Sequence, residues 1–221
     1  MNRITAYATT SALALPEQPT AVPAGEARAA GPVIRDLRER GGHSPHGLSF
    51  GADDLVVITG LPGSGKSTLM ARAVPGIRID SQDTRERWAH RAPDFLPYAV
   101  YRPLVRIAHF AGLRRALRCG EGVVVHDCGT QTWVRNWLAR EAQRRGGTLH
   151  LLLLDVDPDT ALDGQRERGR GVSRYAFLRH RRSVRRLLSG VEKGDLPEGC
   201  GSAVLIDRAA ADVLRRIDFG A

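Results

Sequence analysis

Residues 55–68 read Leu-Val-Val-Ile-Thr-Gly-Leu-Pro-Gly-Ser-Gly-Lys-Ser-Thr. The apolar run Leu55 to Thr59 enters, without a gap, the stretch Gly60, Leu61, Pro62, Gly63, Ser64, Gly65, Lys66, Ser67 and Thr68. A short apolar run rich in β-branched residues reads as a buried strand. The GxxxxGKS spacing behind it reads as a loop that cradles phosphate. Gly60, Gly63 and Gly65 let backbone N–H groups converge on phosphate oxygens where a Cβ would obstruct. Lys66 is then expected to reach the β- and γ-phosphates, and the Ser67 hydroxyl to hold Mg²⁺. A helix from Lys66 to about Val74 follows, and its N-terminal N–H groups and dipole favour the same anion. A glycine-rich turn that merely joins strand to helix requires neither the lysine nor the hydroxyl. ATPases, GTPases and small-molecule kinases all use such a loop, so the remaining chain has to decide the reaction.

At 221 residues with 42% hydrophobic content, the chain can bury one substantial core. No stretch approaches the ~18 to 20 uninterrupted apolar residues that cross a membrane, and residues 1–30 lack the pattern of a signal peptide. The expectation is a cytoplasmic protein with no membrane partner. Cys119, Cys128 and Cys200 are odd in number and show no CxxC spacing, which points to reduced thiols rather than a disulfide framework or a zinc site. The formal charge of +9 suits an acidic partner such as nucleotide phosphate or a polyanion. Lys66 and Lys193 are the only lysines, a skew that the codon bias of a GC-rich genome also produces.

Residues 1–32 are rich in Ala, Pro, Thr and Gly without sustained periodicity, so they cannot bury enough apolar surface to offset ordering entropy. The domain reading is a flexible tail over 1–50 and a nucleotide-binding domain over 51–221, with a short helical turn over Val33–Arg40 inside the tail. Five strands are expected: Leu55–Thr59, Gly76–Asp80, Gly122–Asp127, Leu149–Val156 and Ala203–Asp207. Helix-length segments separate them: a region from Thr84 to Cys119 broken near Pro93, Pro97 and Pro103, then Trp133–Arg145, Pro158–Arg168, Ser173–Val191 and Ala209–Ile217. This alternation implies an α/β fold with a parallel sheet covered on both faces.

The second strand runs into Asp80-Ser81-Gln82-Asp83, placing two carboxylates at the carboxyl edge of the sheet, where ligands of open α/β sheets collect. Either Asp80 or Asp83 could accept the proton of an attacking hydroxyl, and Asp80 is slightly favoured because it ends the strand. Asp83 or Ser81 could equally cap the next helix. The third strand ends His126-Asp127, the pattern of a magnesium-side carboxylate at Asp127, with His126 read as a packed or hydrogen-bonded residue. Asp155, Asp157 and Asp159 are read as structural, with Asp157 as a cap and Pro158 in a first helical turn. Arg166 to Arg174 mixes arginines with glycines, which fits either a solvated loop or a lid that brings guanidinium groups onto a transferring phosphoryl group.

Together, GLPGSGKST, the aspartates behind the second strand, VVVHDCGT with Arg135 and RERGRGVS resemble the polynucleotide-kinase-like branch of P-loop kinases. That branch includes the kinase domain of phage polynucleotide kinase, zeta toxins and chloramphenicol phosphotransferase, and many bacterial proteins known only as AAA-type ATP-binding. The resemblance spans roughly residues 52–217. It implies a P-loop NTPase three-layer sandwich with a five-stranded parallel sheet in adenylate-kinase-like order and an arginine-rich lid. It further implies ATP with Mg²⁺ as cofactors, a base at Asp80 or Asp83, and lid arginines at Arg168 and Arg170. The γ-phosphoryl group would pass to a hydroxyl of a nucleic-acid end, nucleoside or small molecule. The acceptor would be read by the segment Trp88 to Cys119, whose Trp88, Phe95, Tyr98, Tyr101, His109 and Phe110 could stack on a ring or pack in the core. Where branch members often carry Asp-Ala-Thr-Asn, this chain has Asp127-Cys128-Gly129-Thr130 followed by Gln131. The competing class is an ATP-dependent switch or ATPase acting on a protein partner. The oligomeric state stays open.

Overall fold

A computed structural model of the chain describes residues 33–41, 43–91, 93, 97–126, 132–167 and 173–220. Its centre is strand β3, Leu55–Gly60, every residue of which is buried. A strand apolar on both faces needs cover on both, and β3 lies between β5, Val123–His126, and β6, Leu149–Leu154, paired in parallel with each. Beyond β5 lies β4, Ile77–Ile79, and beyond β6 lie β7, Cys200–Ile206, and then β1, Val33–Asp36. The sheet order is therefore β1-β7-β6-β3-β5-β4, all pairs parallel.

Counted over the five strands expected from sequence, the order from one edge is second, third, first, fourth, fifth. The chain leaves β3 for one half of the sheet and later crosses to the other. This makes the carboxyl end of β3 the switch point at which α/β sheets bind ligands. The strand count differs from the expectation by one. The segment Val33–Arg40 begins not as a helical turn but as β1, in register from Val33 beside Ser202 to Asp36 beside Leu205. Arg38, just past it, joins carboxylates from three places: Asp36 at 2.7 Å, Asp155 at 2.8 Å and Glu192 at 2.8 Å. These partners hold the guanidinium well above its ordinary value, Asp36 most strongly. The tie fastens the segment after β1 to the sheet and to the helix that carries Glu192.

A second, two-stranded parallel sheet joins β2, Gly47–Phe50, to β8, Arg216–Phe219. The helix expected over Ala209–Ile217 is accordingly shorter: α7 covers Arg208–Val213, and the chain then extends into β8. Burial rather than propensity decides this end, since Ile217 fills the core from a strand.

The other helices follow the expected pattern. α1 spans Lys66–Ala73, α2 Ser81–Ala89, α3 Tyr98–Leu117, α4 Thr132–Arg144, α5 Pro158–Arg166 and α6 Arg174–Glu192. Pro103 sits in the second turn of α3 without ending it. Asp157 caps α5, accepting from the N–H groups of Asp159 and Thr160, and Ser173 caps α6 through the N–H of Ala176. At the opposite edge from the switch point, Asp54 accepts from the N–H groups of Thr148 and Gly51 and pairs with His150 at 2.9 Å. The other ring nitrogen of His150 meets the Ser202 hydroxyl at 2.7 Å. This polar cluster links the start of β3 to β6 and β7.

Candidate nucleotide-binding site

The loop between β3 and α1 turns tightly, with the Ser64 N–H donating to the Leu61 carbonyl at 3.1 Å. Gly65 at φ 98° is the N-cap of α1, so the chain enters the helix from a left-handed residue and its first N–H groups open toward the loop. Gly63 has φ 87°, a conformation side chains other than glycine rarely adopt. Lys66 is buried, and its ammonium donates to the carbonyls of Gly60 at 2.9 Å and Leu61 at 2.5 Å and approaches the Ser64 hydroxyl at 3.4 Å. The positive charge thus stands inside the curl of the loop. Ser67 is the second residue of α1 and lies at the same mouth.

Two partners of this loop were not visible in the sequence. Gln165 on α5 is buried and donates from Nε2 to the Pro62 carbonyl at 2.9 Å. A Cβ on the neighbouring Gly164 would stand 2.6 Å from the Gly63 carbonyl, so helix and loop touch backbone to backbone. From α7, Arg208 reaches the Ser64 carbonyl at 3.5 Å and pairs with Asp212 at 3.4 Å. The loop is therefore held by α5 and α7 as well as by its own strand and helix. The only sequence signal for the α5 contact is a glycine beside a glutamine in the last turn of the helix.

The register sets Ile58 of β3 beside His126 of β5, and Ile79 of β4 beside Val125. The loop and Asp80 hence leave the same carboxyl edge, two strands apart. Asp80 is buried at 5% exposure, with its Oδ1 3.1 Å from Nδ1 of His126. His109 of α3 faces this pair. Burial pushes its imidazole below the ordinary value and His126 adds to that, while the charge of Asp80 works the other way. Asp83, by contrast, is exposed in the first turn of α2. The two aspartates that sequence alone could not separate are thus in different environments. Arg135, in α4, is buried with Nη2 3.5 Å from the Thr132 hydroxyl. Asp127, Arg168 and Arg170 lie outside the described residues, as do Cys128 to Gln131 and Phe95. Burial raises the Cys200 thiol to about 11, opposed by Arg135, so this cysteine is a packed thiol.

The cradle fits a nucleotide phosphate on three counts: a loop whose glycines a Cβ would crowd, a helix N-terminus and an enclosed ammonium. No helix among the described residues is long and apolar enough to cross a membrane. Similar folds occur in solved structures. A gluconokinase from Sinorhizobium meliloti is 20% identical, covers 75% of this chain and 89% of its own, and has a TM-score of 0.43. The structure described for the PezAT toxin-antitoxin system of Streptococcus pneumoniae is 15% identical over 79% of this chain and 80% of its own, with a TM-score of 0.49. The tunicamycin resistance protein of Deinococcus radiodurans is 14% identical over 61% and 80%, with a TM-score of 0.36. No curated protein matches the chain. A family described as an AAA domain matches residues 55–192, and because that span is more than half of the chain and carries the phosphate loop, the chain belongs to this family of AAA domains.

Proposed function

We propose that the protein is an ATP-dependent phosphotransferase that moves the γ-phosphoryl group of ATP to a hydroxyl of a small molecule, nucleoside or nucleic-acid end. The observation that carries this reading is the burial of Asp80 at the same sheet edge as the phosphate loop, with His126 against it. An ATPase needs the loop. A carboxylate at the end of the neighbouring strands suits the further task of taking a proton from an acceptor hydroxyl.

In this reading the loop N–H groups and the N-terminus of α1 bind the phosphates, and the Lys66 ammonium leaves its loop carbonyls to meet the β- and γ-oxygens. Asp80 accepts the acceptor's proton, while Asp83, exposed on α2, has no part in the chemistry. Arg168 and Arg170 neutralise charge on the moving group. Mg²⁺, held by the Ser67 hydroxyl and the Asp127 carboxylate, would offset charge on the phosphate oxygens. A cytoplasmic location, where ATP is available, agrees with this reading.

The test is transfer of label from γ-labelled ATP to a panel of hydroxyl acceptors that includes RNA ends, nucleosides and aminoglycoside- and phenicol-type antibiotics. Labelled acceptor that disappears with Lys66→Met supports the kinase. Release of labelled phosphate alone, at the same rate with and without every acceptor, would favour the ATP-driven switch instead.

A further inference from the structure

Seven large apolar side chains are exposed among the described residues, and four of them gather on one surface. Val100 at 61%, Leu104 at 50% and Ile107 at 65% exposure lie on α3, and Trp133 at 53% opens α4. The first three, continued by the exposed Ala111, recur at steps of four, three and four, so they form one stripe along the helix. The stripe runs over twelve residues, roughly 17 Å from end to end at about 1.5 Å per residue. Its lower half is one wall of a groove of about 870 Å³ between α3 and α4.

The floor of this groove is aromatic. The Phe110 ring lies 5.4 Å from that of Trp133 and 6.2 Å from that of Trp137, and the Trp137 indole N–H donates to Glu141 at 3.1 Å, which leaves the ring's apolar faces to the groove. The rim is cationic on both sides, with Arg106 and Arg114 from α3 and Arg140 from α4. Among the described residues Arg106 and Arg114 make no hydrogen bond or ion pair, and no carboxylate lines the groove.

We infer that this groove docks an amphipathic helix of a partner protein, apolar on one face and acidic on its flanks. An exposed stripe with helical spacing beside an aromatic trough is what the apolar face of a helix covers, with anchors at i, i+3 or i+4 and i+7. Guanidinium groups on both rims, those of Arg106 and Arg114 without a carboxylate partner among the described residues, select carboxylates flanking those anchors, and Trp and Arg are the residues that carry most binding energy at such contacts. The stripe continues past the groove to Val100, farther than a single small molecule would cover. A second copy of this chain is a poor occupant, because it carries +9 and would set the same three arginines against each other across a two-fold axis. The site stands apart from the phosphate loop and does not depend on the phosphotransferase reading.

The test is selection of a displayed library of helix-favouring 14-residue peptides on the full chain, with the best peptide then labelled and its binding followed by fluorescence anisotropy. Enriched peptides are expected to pair apolar residues at helical spacing with Asp or Glu on the flanks. Their affinity should fall at least tenfold with Ile107→Glu and with Arg114→Glu, and Lys in place of the facing Glu should restore binding to the latter. Lys66→Ala should leave peptide affinity unchanged. Because Ile107 and Arg114 are exposed, both variants should melt within a few degrees of the parent chain. Enrichment of no peptide sensitive to Ile107→Glu, or of basic or non-helical ones, overturns the inference. So does tighter, Trp133→Ala-sensitive binding of a twenty-residue thymidine oligonucleotide, or a dimer in sedimentation that Ile107→Glu converts to monomer.

Discussion

Nδ1 of His126 stands 3.1 Å from Oδ1 of Asp80, joining the ends of two adjacent strands at the edge where the phosphate loop begins. The pair is nearly closed to solvent, whereas Asp83, three residues on, is exposed. If Asp80 takes the acceptor's proton, Asp80→Asn should lower acceptor phosphorylation by about 10² or more, the usual weight of a general base. Nucleotide affinity, measured by calorimetry, should change little. Asp83→Asn should retain the rate to within a few-fold. Equal losses from the two substitutions would remove Asp80 from the role.

The decisive stretch, residues 55–68, shows what local sequence can carry. The loop is legible because its function is written in contiguous residues, from Gly60 to Thr68, directly behind an apolar strand. Five strands were legible for a similar reason, since each reads as a mostly apolar run, from the wholly buried β3 to the short, half-exposed β4. β1, β2 and β8 were not, because four-residue strands with mostly exposed or mixed patterns exist only through distant partners, Val33 beside Ser202 and Phe50 beside Phe219. The same holds at the site. Gln165 meets Pro62 across 103 residues, and His109, Asp80 and His126 converge from a helix and two strands. No spacing rule brings these together; the sheet order does.

Gln165 offers the second prediction. Its buried amide is the donor that satisfies the Pro62 carbonyl, and Gln165→Leu leaves that carbonyl without it. An unmet buried acceptor costs about 1–3 kcal/mol, so the melting temperature should drop by several degrees. Because the acceptor lies within the phosphate loop, nucleotide affinity should fall several-fold as well. A loss of stability with unchanged nucleotide affinity would make the contact purely structural.

The backbone contact between α5 and the loop is tighter still. In Gly164→Ala the new Cβ would stand 2.6 Å from the Gly63 carbonyl, and since that neighbour is backbone, helix and loop must separate. Overpacking of this kind costs about 1–3 kcal/mol, offset in part by the better helix propensity of alanine. Urea unfolding should show the loss, and ATP should recover less stability than in the parent chain because the loop has been displaced. Full recovery by saturating ATP at the parent's affinity would mean that α5 does not set the loop's shape.

The last prediction concerns acid stability and lies far from the chemistry. Burial alone would raise the Asp54 carboxyl, but the Thr148 N–H, the His150 ring and the Gly51 N–H outweigh it and hold it below the usual aspartate range. A carboxyl lowered by folding contributes stability that is present above its unfolded value of about 3.9 and is lost as pH falls through the folded value. The parent chain should therefore exceed Asp54→Asn in unfolding free energy at pH 6–7. That advantage should be constant down to about pH 5 and shrink below about pH 4, as the parent's own carboxyl takes up its proton. The comparison is made by urea unfolding at each pH, and a difference that stays level down to pH 3 would place the stabilisation in packing rather than in the charged form of Asp54.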